Sequence, residues 1–129
     1  MESTRRAAAK MTDAAIEALE DNIAAHRLAI ARARYATAIQ LDDAFHRTIA
    51  ETSGYPGIWR AVDISKAQMD RGRYLAIPEP GYGEQTIAQH EAILEALRRR
   101  DPEGAAAAME HHLETSLSNT VEVAGELDG

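Results

Sequence analysis

A chain of 129 residues with no cysteine and a formal net charge of -7 is long enough for one domain around a single core, and it can build neither a disulfide nor a thiolate metal site. Without a long basic cluster it is not expected to grip nucleic acid by itself, because phosphate binding needs Lys and Arg concentrated on one face. No apolar run approaches the roughly 18 residues of a membrane-spanning helix and no signal peptide is legible, so the expectation is a soluble, cytoplasmic protein, one domain over residues 1–129, with small molecules or proteins as partners.

One Trp and one Phe among many Ala, Leu, Glu and Arg favour helices over strands, and the expected fold is all-α. Thr12-Asp13 opens the first clear helix, with a hydroxyl as N-cap and an acidic residue in the positive first turn. Its stripe of Ile16, Leu19, Ile23, His26 and Ile30 has the spacing of a helix that buries one face. It is expected to extend to about Ala36. A second helix carries Leu41, Phe45 and Ile49 and stops at Ser53-Gly54-Tyr55-Pro56-Gly57, where glycine and proline oppose continuation. A third runs from near Ile58 toward Leu75. The loop from Ala76 to Gly83 follows it, the longest in the chain and a candidate lid. A fourth helix covers about Glu84 to Arg100, with Ile87, His90, Leu94 and Leu97 inward. Asp101-Pro102-Glu103 then starts the last helix with N-cap, first-position proline and first-turn acid in order. Its inward stripe, Ala105, Met109, His112, Ser116 and Asn119, turns from apolar to polar after His112. That change inside a bundle suggests a cavity. The tail, about residues 122–129, is expected to fray.

Chemistry concentrates in four residues. Asp42 and His46 stand four apart, one above the other on a helix, so a carboxylate and an imidazole can hold one ion from the same side. His90 and His112 lie on the inward stripes of two further helices. Buried imidazoles on three faces would each need a partner without an ion, and one cation satisfies them together. Taken singly, each has a plainer reading: Asp42 and His46 as a surface ion pair, His90 and His112 as core-edge histidines satisfied by hydrogen bonds. Three neutral imidazoles and one carboxylate suit a borderline divalent ion, zinc foremost, with nickel, cobalt or manganese as alternatives, rather than calcium or magnesium. Such a site leaves coordination positions open for water or an anion. Ser116 and Asn119 continue the His112 face, and Arg71 and Arg73 close the third helix. Arginine binds carboxylates in a two-pronged manner, so a small carboxylate held by Arg71, Arg73, Ser116 and Asn119 is the expected guest. A solvated face is the plainer reading of the two arginines. His111 falls about 100° away from His112 and off the stripe. His26 is read as a packing or interface histidine, and Asp43 as a solvated residue pointing away from the Asp42/His46 row.

Asp42-x-x-Phe45-His46 followed by Ser53-Gly54, then His90-Glu91-x-Ile93-Leu94-x-Ala96, then Asp101, Ala105, Met109 and His112-Leu113, resembles the FadR C-terminal (FCD) ligand-binding domain of GntR-type bacterial transcription regulators. The resemblance spans about residues 7 to 120. It implies an antiparallel bundle of roughly six helices, a metal held by Asp42, His46, His90 and His112, and a carboxylate effector against that metal. It implies a regulatory sensor and not an enzyme. Family members carry a winged helix-turn-helix domain ahead of this one. Here that domain is expected to be absent and the first helix of the bundle to be short, as in a truncated form or a natural stand-alone sensor. Gly54-Tyr55-Pro56 stands where the family often has Gly-Asn-Pro. A sensor of this type is expected to work as a homodimer, since two DNA half-sites ask for two-fold symmetry. Two other readings stand beside it. A metal-dependent enzyme could use the same Asp/His3 site to activate water, though no extra base is evident. A helical interaction module would leave the polar stretch of the last helix without a purpose.

Overall fold

The computed structural model describes residues 2–54 and 73–128, with side chains as far as Ser116 in the last helix. Every regular element among the described residues is helical: α1 (Glu2–Lys10), α2 (Asp13–Ala31), α3 (Tyr35–Thr52), α4 (Tyr82–Arg98) and α5 (Pro102–Asp128). Residues 73–76 form a further helical turn. The fold is an all-α helical bundle. Most of the expected third helix, Ile58 to Leu75, lies outside the described residues.

Capping follows the sequence where a side chain announces it. Thr12 Oγ1 accepts the Ala15 amide at 3.1 Å, and Asp101 Oδ1 accepts the Gly104 amide at 3.0 Å. Each satisfies a first-turn N–H that has no partner within its helix. Two boundaries differ from expectation. Helix α2 ends at Ala31 rather than near Ala36, and Ala33 sits at φ 54. A left-handed alanine costs roughly 1 kcal/mol, and no glycine or proline marks the turn. Helix α5 continues to Asp128, through the tail expected to fray.

Helix α1, which no strongly apolar stripe announces, buries Thr4, Ala7 and Ala8. Small residues let it lie close against α3, α4 and α5, while α2 packs on both α3 and α4, and α4 on α5. The connections at residues 32–34 and 99–101 are short enough to make each flanking pair antiparallel neighbours. Two apolar clusters result among the described residues. The larger unites Leu19, Ile23, Phe45, Ile49, Ile93, Leu94, Leu97, Ala105 and Met109 with α1, and the smaller holds Ala29, Ala38, Ile39 and Ile77. Along α2 and α3 a polar layer falls between them, at His26 and at Asp42.

Candidate metal centre

Three helices deliver the four residues. Asp42 and His46 come from successive turns of α3, His90 from the middle of α4 and His112 from α5. Their donor atoms form a closed ring. Asp42 Oδ1 is 3.0 Å from His90 Nε2 and 3.4 Å from His46 Nε2. His112 Nε2 lies 3.2 Å from His90 Nε2 and 3.3 Å from His46 Nε2. All four atoms lie within 4.8 Å of one another.

These spacings can be tested against an ion. With metal–nitrogen distances of about 2.1 Å, adjacent donors stand about 3.0 Å apart at a right angle and about 3.4 Å apart at the tetrahedral angle. The observed edges span that interval. Hydrogen bonding accounts for the ring poorly, since a contact between two imidazole nitrogens needs one protonated and one bare. Asp42 Oδ1 is buried with no hydrogen bond of acceptable geometry. The cluster is therefore an Asp/His group that could hold a metal ion.

Neighbours fix the rings. Phe45 stacks on His90, with centroids 4.0 Å apart and planes 7° from parallel, while His46 and His112 stack at 5.2 Å and 6°. His26 meets His90 edge-on at 5.5 Å. Gln89 Oε1 lies 2.7 Å from His112 Nδ1; the amide oxygen accepts, so Nδ1 carries the proton and Nε2 faces the ring as a bare lone pair, as ligation requires. On the far side of Asp42, Arg73 Nη2 forms an ion pair with Oδ2 at 2.9 Å.

Charge states follow from burial and neighbours. Burial lowers the His112 pKa to about 3 and His46 and His90 push the same way. Burial, with His90 beside it, takes His26 to about 4. His90 is also lowered, chiefly by burial and against the pull of Asp42. Burial alone would raise Asp42, but the His46 and His90 imidazoles beside it outweigh that and hold the carboxyl well below the usual range. Neutral imidazoles and an ionised carboxylate are the protonation states of metal ligands.

The other residues singled out in the sequence are placed differently. Arg73 is buried against Asp42, Asp43 and the Ile39 carbonyl. Ser116 Oγ lies 3.5 Å from His112 Nδ1, behind the ring rather than on its Nε2 side. Arg71 and the Asn119 side chain lie outside the described residues. Asp43, expected to be solvated, is only 19% exposed and pairs with Arg73 at 3.0 Å. A long arginine reaches across the 100° between successive helical positions, which sequence spacing alone does not anticipate. His111 is exposed while His112 is buried, as the stripe requires. Helical spacing could not find Gln89, whose role depends on how α4 crosses α5.

The FCD domain family matches residues 1–115 of the chain. Among curated proteins, the HTH-type transcriptional repressor RspR of Escherichia coli strain K12 is 33% identical over 110 residues, 85% of this chain and 48% of the repressor. The HTH-type transcriptional repressor NanR of Cronobacter sakazakii is 34% identical over 112 residues, 84% of this chain and 42% of NanR. An uncharacterised HTH-type transcriptional regulator of Streptomyces ambofaciens shares 36% identity over 73 residues, 57% of this chain and 31% of that protein. The chain thus spans about half the length of the curated relatives it matches, or less.

Proposed function

The chain belongs to the FCD domain family, and from that premise we propose that it is the effector-sensing domain of a GntR-type transcription regulator. In this reading Asp42, His46, His90 and His112 bind one divalent metal ion, zinc foremost, with nickel, manganese or cobalt as alternatives. A small carboxylate then modulates DNA binding by an attached or partner domain. The observation that carries the reading is the closed ring of three Nε2 atoms and one Oδ1 at 3.0 to 3.4 Å. The ion, when bound, supplies positive charge and open positions for an anionic oxygen. The chain supplies the rest: Gln89 and Phe45 orient two of the imidazoles, and the apolar clusters on either side exclude water and strengthen the electrostatics. Arg71 and Asn119 are the proposed partners for the remainder of the guest, with Arg73 and Ser116 at its margin.

A ligand shifts a conformational equilibrium only by its differential affinity for the two states. The site joins α3, α4 and α5, so an added ligand contact there can bias how the three helices pack, and a homodimer would pass that bias to two DNA half-sites. The enzyme reading has less support. Glu91, the acid adjoining His90, is half exposed and paired with Arg27. No helix among the described residues is long and apolar enough to cross a membrane, and the working compartment proposed is the cytoplasm.

Elemental analysis with native mass spectrometry should find about one divalent ion per chain after reconstitution, and none in His90→Ala. Calorimetry with hydroxy acids, keto acids and dicarboxylates should find a ligand whose binding requires the metal. Equal binding to metal-free protein would remove the mechanism. In a low-salt mobility-shift assay the chain alone should form no specific DNA complex.

A further inference from the structure

Asp42 uses its two carboxylate oxygens in opposite directions. Oδ1 faces His90 and His46 at 3.0 and 3.4 Å, while Oδ2 forms an ion pair with Arg73 Nη2 at 2.9 Å. The same nitrogen lies 3.0 Å from Asp43 Oδ1 and 3.3 Å from the Ile39 carbonyl oxygen. The guanidinium is itself held in place. Arg73 is only 9% exposed, and the turn it lies in leads into buried Ala76 and Ile77, with Ile77 packed among Ala29, Ala38 and Ile39. Asp43 takes a share of the arginine's charge, which leaves the negative charge of Asp42 available on the Oδ1 side.

Building on the metal-site reading above, we propose that Arg73 is a positioning residue that keeps Asp42 a one-oxygen ligand, so that a coordination position stays open for the guest carboxylate. The physical reason is competition for Oδ2. A carboxylate can close on an ion with both oxygens, but an oxygen already paired at 2.9 Å with a buried guanidinium would then lie between two cations. Arg73 therefore acts on the guest through Asp42, and not by gripping it.

The test uses Co(II), whose visible absorption reports coordination number, with acetate as a probe anion. Wild-type protein should bind one Co(II), and acetate should perturb its spectrum. Arg73→Gln should bind Co(II) about 10–100-fold more weakly, show an altered spectrum as the second Asp42 oxygen closes on the ion, and respond little to acetate. Arg73→Lys keeps the charge but not the planar fork, and should fall between the two. Helicity by circular dichroism establishes that each variant is folded. If Arg73→Gln does not fold, Arg73→Lys decides the matter: a loss of affinity with a changed spectrum supports the proposal. A folded variant with wild-type affinity, spectrum and acetate response overturns it. If wild-type protein takes up no Co(II), the metal-site reading fails and this inference falls with it; if only the variants behave as wild type, this inference fails alone.

Discussion

The larger apolar cluster and the polar layer beside it are built by the same helices and obey different rules. Leu19, Ile93 and Leu97 are fully buried and complete in themselves, because dispersion and the hydrophobic effect ask only for neighbours. The polar layer, with His26, His90 and His112 buried and Asp42 and His46 partly so, is incomplete. Asp42 Oδ1, His26 Nδ1 and His90 Nδ1 lack hydrogen-bond partners, and three imidazole nitrogens and one carboxylate oxygen crowd within 4.8 Å of one another. Buried polar groups left in that state cost free energy that a packed core does not return. Stability of the apolar region should therefore be indifferent to metal and pH, and that of the polar layer sensitive to both.

The largest test of that contrast is chelation. An ion bound only by the folded state adds about 4 kcal/mol when its free concentration is 1,000 times its dissociation constant. Thermal melts with and without chelator should differ accordingly, and His90→Ala should abolish the difference. Equal melts of reconstituted and chelated wild-type protein would break the comparison at its centre. Leu97→Ala sharpens it from the other side. The loss should be about 3 kcal/mol, within the usual range for a buried leucine, with metal stoichiometry unchanged and the same increment in metal-free protein. A marked dependence of that increment on metal would mean that the two regions are one.

Acid should separate the regions next. In the folded metal-free chain His112 stays neutral down to about 3 and His26 to about 4, against an ordinary value of 6.5. Above 6.5 neither state binds the proton, so the histidines cost nothing. As pH falls below 6.5 the unfolded chain takes up protons that the folded chain refuses, and stability declines down to the folded values. Between pH 7 and 6 the two together should remove on the order of 1 kcal/mol, read from urea midpoints. Asp42, whose folded pKa is depressed, contributes its loss only at lower pH, below 3.8. A flat stability profile from pH 7 to 5 would show that the imidazoles are not held neutral.

Legibility in the sequence followed the same division. The grouping of Asp42, His46, His90 and His112 was readable because helical periodicity puts His90 and His112 on inward stripes and stacks Asp42 and His46 in one row of a third helix. The strongest caps, Thr12 and Asp101, were readable because a short polar side chain before an apolar run has few other uses. Helix α1 was not, since its buried face is Thr4, Ala7 and Ala8, whose packing value lies in small size. The end of α2 was not, because Ala33 turns without a glycine. Above all, the groups that support the four-residue cluster depend on tertiary crossings. Gln89 reaches His112 only because α4 lies against α5, and Arg73 meets Asp42 and Asp43 from a segment some 30 residues away in the chain.

The smallest effect tests whether the contrast is one of region or merely of any perturbation. Thr12 caps α2 through a single exposed hydrogen bond to the Ala15 amide, about four turns of helix before His26. Thr12→Ala leaves one first-turn N–H to water and should cost about 0.5–1 kcal/mol, the low end for an exposed cap. Because the loss acts on the α2 start rather than on the ring, Co(II) affinity and its spectrum should be unchanged. The stability difference should also be equal at pH 7 and pH 6. If instead the cap variant weakens metal binding as much as it weakens the fold, α2 transmits its fraying to the polar layer through His26 and His90. The site would then respond to the whole bundle, and chelation effects could no longer be assigned to the four ligands alone.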